Sequence, residues 1–214
     1  MTKKNGKPST YDRVVDISLK LFNEEGERKI STNHIAQALG ISPGNLYYHF
    51  RNKDEIIVQL FQRYSGKLLD YIQQTPLPDN MAKMGEYMSG VYDILWEYRF
   101  LFSDVNTLLT RSKELWGEHN EFTHIKISPL LVRIFTELRA KGILDADDEA
   151  LRELGLNVWL LTKYWFDFDN SQHIGNWDDG AKRRGIYQTM SLVRGFVAKE
   201  HYQNYCELMA QYRS

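Results

Sequence analysis

Between Thr32 and Lys53 the chain gathers the side chains best suited to meeting a polyanion. Asn45 can bond base edges, and the hydroxyl and imidazole donors of Tyr47, Tyr48 and His49 can bond phosphate oxygens. Gly44 adds a small residue at the start of the same helix. Lys53 stands at a helix N-terminus, where a cation opposes the helix dipole. A phosphate bound by that helix end and the ammonium together would remove the conflict. Thr32, Asn33 and Ser42 complete the candidate DNA-binding set.

Other chemistries have less to stand on. No phosphate loop, nucleophile elbow or thiol pair occurs. Cys206 is the single cysteine, which excludes an internal disulfide and a multi-cysteine zinc site. Glu121 and His124 form one Glu-x-x-His pair near His119, but a helical di-metal site needs two such pairs and two further carboxylates. Asp167, Asp169, Ser171 and Asp178 fall at calcium-loop spacing, yet Gln172 occupies the position that needs glycine. The expectation is therefore no catalytic residue, no metal, no cofactor and no enzyme.

The elements that must hold the 32–53 residues outward can be read from apolar period and caps. Helical spacing runs through nearly all 214 residues and strand patterns are scarce, so an all-α fold is expected. A first helix runs from Ser9 or Thr10 to Gly26, with Tyr11, Val14, Val15, Leu19 and Phe22 as its stripe. A second spans about 32–39, Gly40-Ile41 forms a tight turn, and a third starts after Ser42 with Pro43 at its first position. Ile35, Leu39, Ile41, Leu46 and Phe50 pack this pair against the first helix. Asn52 caps a fourth helix, with Glu55 three residues on, and that helix reaches about Gln74.

Pro76 and Pro78 mark a break. The expected division is a three-helix helix-turn-helix domain over 1–53, its connecting helix to about 74, and a helical domain over 75–214. In the second domain five helices are expected, at 81–100, 103–115, 129–141, 148–168 and 178–199. Ser128 is read as a cap, and 169–176 as a polar connection. Residues 1–75 carry 11 Lys/Arg against 8 Asp/Glu, and the remainder 16 against 20. A mildly positive head on an acidic body fits a polyanion-binding end. Lys3, Lys4 and Lys7 are either an arm for the minor groove or a free tail.

The run Leu46-Tyr47-Tyr48-His49-Phe50-Arg51-Asn52-Lys53 closely resembles the recognition-helix signature of the tetracycline-repressor (TetR) family. Thr32, Ala36, Leu39, Gly40 and Ile41 also fall where that family places them, and the likeness covers 9–64. The resemblance implies a homodimer that binds a double-stranded DNA operator and is released by a small-molecule effector. It implies base contacts by Gly44, Asn45 and Tyr47, and phosphate contacts by Thr32, Tyr48, His49 and Lys53. The expected role is a repressor on a palindromic operator, with activation as the alternative.

For the body, the helices at 148–168 and 178–199 are the expected dimer elements, with Gly185, Ser191 and Gly195 permitting close approach. Trp159, Thr162, Lys163 and Phe166 share one helix face. That face is read as the wall of an effector pocket with Trp96 and Phe102, and with Asn106 beside Thr162 and Lys163 as polar contacts. Dimer interface is the competing reading of the same face. A fatty-acyl or aromatic acid suits such a pocket. No signal peptide and no membrane-length apolar run is seen, so a cytoplasmic location is expected.

Overall fold

The computed structural model describes residues 8–172, 178 and 180–213. Among these the fold is all-helical, and β pairing is confined to one isolated bridge between Leu144 and Val197. The lysines at 3, 4 and 7 lie outside the described residues.

The head is built from α1 (Thr10–Glu25), α2 (Thr32–Leu39) and α3 (Pro43–His49). Each start is capped by a serine: Ser9, Ser31 and Ser42 accept from the backbone N–H of Asp12, His34 and Asn45. Gly40 has φ 66 and ψ 32, a left-handed turn that an L side chain resists. That turn sets α2 and α3 at an angle, and Val14, Val15, Ile35, Leu46 and Phe50 close beneath them. Tyr11 stacks on Phe50 with ring centroids 4.6 Å apart.

From the head, α4 (Lys53–Gln74) runs into the body; its 22 residues span ~33 Å. It buries Ile56, Leu60, Phe61, Tyr64, Leu68 and Ile72. The body adds α5 (Met81–Glu97), α6 (Val105–Arg111), α7 (Lys113–Asn120), α8 (Ser128–Ala140), α9 (Asp148–Gln172), α10 (Gly180–Leu192) and α11 (Tyr202–Tyr212).

Several expected boundaries are corrected. The 103–115 helix is two, because Ser112 is extended and caps α7 through the Leu115 N–H. Ser128 caps nothing: it is helical, and a π-helical stretch at Glu121–Ile127 joins α7 to α8. Pro129 lacks the N–H that a regular helix would need there, which fits a locally widened coil. The last expected helix stops at Leu192. Its continuation turns back so that Asp145 N donates to Phe196 O (2.7 Å) and Ala198 N to Ile143 O (3.0 Å). A further helix, α11, follows. Asp169 is not in a polar loop but buried in α9, where both carboxylate oxygens meet Arg184 at 2.7 Å.

Candidate nucleic-acid interface and effector cavity

The outward face of the head carries side chains the fold does not consume. Tyr48 is 86% exposed and Tyr47 49%. Asn33, Gly44 and Asn45 are exposed. A Cβ added at Gly44 would meet only Ser42 Oγ at 4.0 Å, so nothing inside the protein requires glycine there. Thr32 Oγ1 and the Tyr47 hydroxyl lie 3.0 Å apart, which brings the start of α2 and the middle of α3 to one surface. His49 is half-buried beside Tyr11, their rings 6.4 Å apart. Ser42 spends its hydroxyl on capping α3, with Oγ 3.2 Å from Asn45 N.

Lys53 departs from the expected outward position. Its ammonium donates to Glu27 O and Ile30 O, both at 2.9 Å, and pairs with Glu27 Oε1 at 2.7 Å. The dipole conflict at the start of α4 is thus settled by an internal carboxylate and two carbonyls rather than requiring a phosphate. Arg51 was missed as a cation for this face. Its side chain is 89% exposed, with only a loose 3.9 Å approach to Glu55. The signal was available, since it lies two residues past the end of the third helix.

Glu27 is also where head and body meet. Besides Lys53 it accepts Arg111 Nη2 from α6 at 2.8 Å, while Arg111 Nε reaches Asp54 Oδ1 at 2.7 Å. Burial alone would raise the Glu27 carboxyl, but hydrogen bonds from Arg111 and Lys53 outweigh it and hold its pKa below the ordinary value. Arg28 pairs with Asp104, and Asn23 Nδ2 donates to Glu97 O at 2.8 Å.

In the body two chambers share Trp159 as a common wall. The first, with an empty volume of about 380 Å³ partly open to solvent, lies between α4, α6, α7 and α9. Phe61, Tyr64, Phe102, Phe122 and Trp159 give it aromatic walls, and His119 and Lys163 line it as well. The second, about 700 Å³ on the same measure, lies between α4, α5, α8 and α9. Its lining is aliphatic apart from Tyr87, Phe135, Trp159, Thr162 and Pro78.

Three polar atoms of the first chamber are buried without a hydrogen-bond partner: Tyr64 Oη, His119 Nε2 and Trp159 Nε1. Burial raises the Tyr64 hydroxyl far above its ordinary pKa. Burial also lowers His119 to about 4, helped by the charges of Lys163 and His124. His119 is therefore neutral at neutral pH. Among the described residues Lys163 makes no ion pair, and its ammonium lies 4.9 Å from the Tyr164 ring centroid.

Of the expected pocket residues, Phe102, Trp159, Thr162 and Lys163 line these chambers. Three do not. Phe166 is fully buried between the rings of Tyr92 (6.0 Å) and Trp96 (5.4 Å). Trp96 carries the Arg99 guanidinium 4.7 Å from its centroid. Asn106 is exposed on α6. On this face Thr162 and Phe166 are buried by their own subunit, while Trp159 and Lys163 are half-buried. Sequence reasoning missed the contribution of α4 and His119, which no local pattern marks.

On the side of α9 toward α10, Leu160 (45%) and Phe168 (57%) are exposed and border one groove, while Leu156 (59%) is exposed one turn before Trp159. Leu192 of α10 borders the same groove. Gly185 does not face it: a Cβ there would overlap the Tyr92 and Trp165 rings, so its smallness serves packing within the subunit. Gly195 lies beyond α10. No cluster of metal-ligating residues occurs among the described residues, and none of their helices is long and apolar enough to cross a membrane.

Comparison with known proteins agrees over residues 14–205. Residues 14–60 match the family described as bacterial regulatory proteins, tetR family, and residues 60–205 match a bacterial transcriptional repressor (TetR) family. A TetR-family transcriptional regulator from Marinobacter aquaeolei VT8 superposes with TM-score 0.84 and 38% identity, covering 97% of this chain and 100% of that one. Salmonella enterica GusR gives TM-score 0.58 at 20% identity, covering 89% of this chain and 99% of its own, a likeness of fold alone. An HTH-type transcriptional regulator of Staphylococcus aureus (strain bovine RF122 / ET3-1) is 35% identical over 97 residues, 45% of this chain and 50% of that protein. The chain thus spans about half the length of the curated relatives it matches.

Proposed function

The chain belongs to the TetR family of bacterial transcriptional regulators, and from that premise we propose that it is a homodimeric repressor released from its operator by a mostly apolar small molecule. The observation that carries the reading is the outward surface of α3: Gly44, Asn45, Tyr47 and Tyr48 are exposed, and the Tyr47 hydroxyl meets Thr32 Oγ1 of the same surface. Asn45 and Tyr47 read base edges in the major groove, with the α3 start close to the DNA because Gly44 has no side chain. Thr32, Asn33, Ser42, Tyr48 and His49 hold the backbone, joined by Arg51.

A two-fold pair formed through the exposed groove side of α9 and the adjoining edge of α10 presents two heads to half-sites ~34–36 Å apart, which makes the operator palindromic. The effector enters the chambers beside Trp159. Because Tyr64 and Leu68 of α4 line them, an occupant that favours a shifted α4 changes the spacing of the heads. Its effect is bounded by its difference in affinity for the two states.

The test is selection of bound duplexes from a random pool at moderate salt, followed by sedimentation of the complex. An enriched inverted repeat bound by two chains is expected. Failure to enrich any duplex at low salt would sink the reading.

A further inference from the structure

The cationic and imidazole groups of the cavity lie in one chamber, while the buried unpartnered polar atoms of the other are two hydroxyls, Tyr87 Oη and Thr162 Oγ1, and this deepens the effector reading on which it rests. Chamber one carries Lys163 and His119, the cationic and imidazole groups of the lining, together with the buried, unpartnered Tyr64 Oη and Trp159 Nε1. Chamber two carries no cationic side chain, and its walls include Met84, Met88, Val91, Leu131, Ile134 and Leu138. Among the described residues neither chamber is lined by Asp or Glu.

We propose that the two chambers together take one elongated free carboxylic acid, its carboxylate in the first chamber and its flexible aliphatic chain in the second, passing the Trp159 ring. A carboxylate is an acceptor with several lone pairs, and Lys163, Trp159 and Tyr64 are all donors. Neutral His119 offers either a donor or an acceptor according to tautomer. A hydrocarbon without the acid would leave the buried donors unmatched. A quaternary cation would meet Lys163 with no carboxylate to offset it. A sugar would bring more hydroxyls into the mainly aliphatic second chamber than Tyr87 and Thr162 can answer. The unbranched chain is favoured over a rigid polycycle because methionine and leucine side chains of chamber two can rearrange around a thin, flexible guest.

The experiment titrates the purified full-length chain with acetate, hexanoate and decanoate, and with decan-1-ol and decyltrimethylammonium as head-group controls. Calorimetry and indole fluorescence are read together. Decanoate is expected to bind at least tenfold tighter than decanol and than hexanoate, with acetate not binding. Lys163→Met should abolish the preference for acid over alcohol. Leu131→Trp, which narrows chamber two, should move the optimum to shorter acids. Equal binding of decanol and decanoate, or tighter binding of the ammonium, overturns the assignment. DNA release is scored separately. Head- and length-dependent binding that leaves the DNA complex intact upholds this site and overturns the effector-released repressor. Release by a compound that is not an acid, with decanoate inert, does the reverse.

Discussion

Arg111 Nη2 lies 2.8 Å from Glu27 Oε1, and that contact ties α6 of the body to the turn between the first two helices of the head. The same α6 supplies Val105, Leu108 and Leu109 to the wall of the first chamber. A guest that moves α6 therefore pulls on the head. Replacing Glu27 by Gln should lower the unfolding free energy by about 1–3 kcal/mol, since two cations lose their charged partner. It should also weaken effector-driven release more than DNA binding itself. Urea unfolding and gel shift with and without effector measure the two, and unchanged release would remove this contact from the coupling path.

Lys53 and Arg51 should separate a structural from a DNA-facing cation. Lys53→Ala is expected to reduce stability, because its ammonium serves Glu27 and two backbone carbonyls. Arg51→Ala should leave the melting temperature alone and flatten the salt dependence of DNA binding by about one unit. The reverse pattern would show that the Lys53 ammonium leaves Glu27 for a phosphate.

Gly44→Ala sets helix formation against DNA contact. Its surroundings are open, so the fold should be unharmed and the helix gain roughly 0.5–1 kcal/mol. Operator affinity should nevertheless fall, because a methyl group then separates α3 from the groove. Asn45→Ala should instead relax base preference at one position of each half-site, read by repeating the selection. Full affinity of Gly44→Ala would argue for a different docking angle.

Leu160→Arg, on the exposed groove side of α9, should yield a folded monomer. Sedimentation at micromolar concentration and circular dichroism report this together. A dimer that persists would place the interface elsewhere.

Acid sensitivity should show two windows. His119 resists protonation down to about 4 in the folded state, while the unfolded chain takes up that proton near 6.5. Unfolding thus binds more protons, so stability is level above pH 6.5 and declines toward pH 4. The depressed Glu27 carboxyl acts lower: its contribution is present above the unfolded value of 4.5 and lost as pH falls through the folded one. His119→Phe should remove the upper window only, gaining stability over the parent at pH 5 more than at pH 7.5. Parallel curves for the two proteins between pH 5 and 7.5 would contradict the neutral, buried imidazole.

The head was legible in the sequence because its signals are short-range. Ser9, Ser42, Pro43 and Asn52 cap or open helices within three residues of themselves, Gly40 makes one turn, and the apolar period of α1 to α4 fixes which side chains face outward. Asn45, Tyr47 and Tyr48 followed from that phase alone. Other placements depend on partners far along the chain. Lys53 meets a residue 26 positions away, and Arg111 meets Glu27 across 84. The phase of α9 correctly grouped Trp159, Thr162, Lys163 and Phe166 on one face. Only the approach of α4, α5, α7 and α8 decided that the first three border empty space while Phe166 is enclosed by Tyr92 and Trp96. A helix period sets direction within one element. Whether that direction ends in a cavity, a ring or a carboxylate is set by the packing of elements distant in sequence.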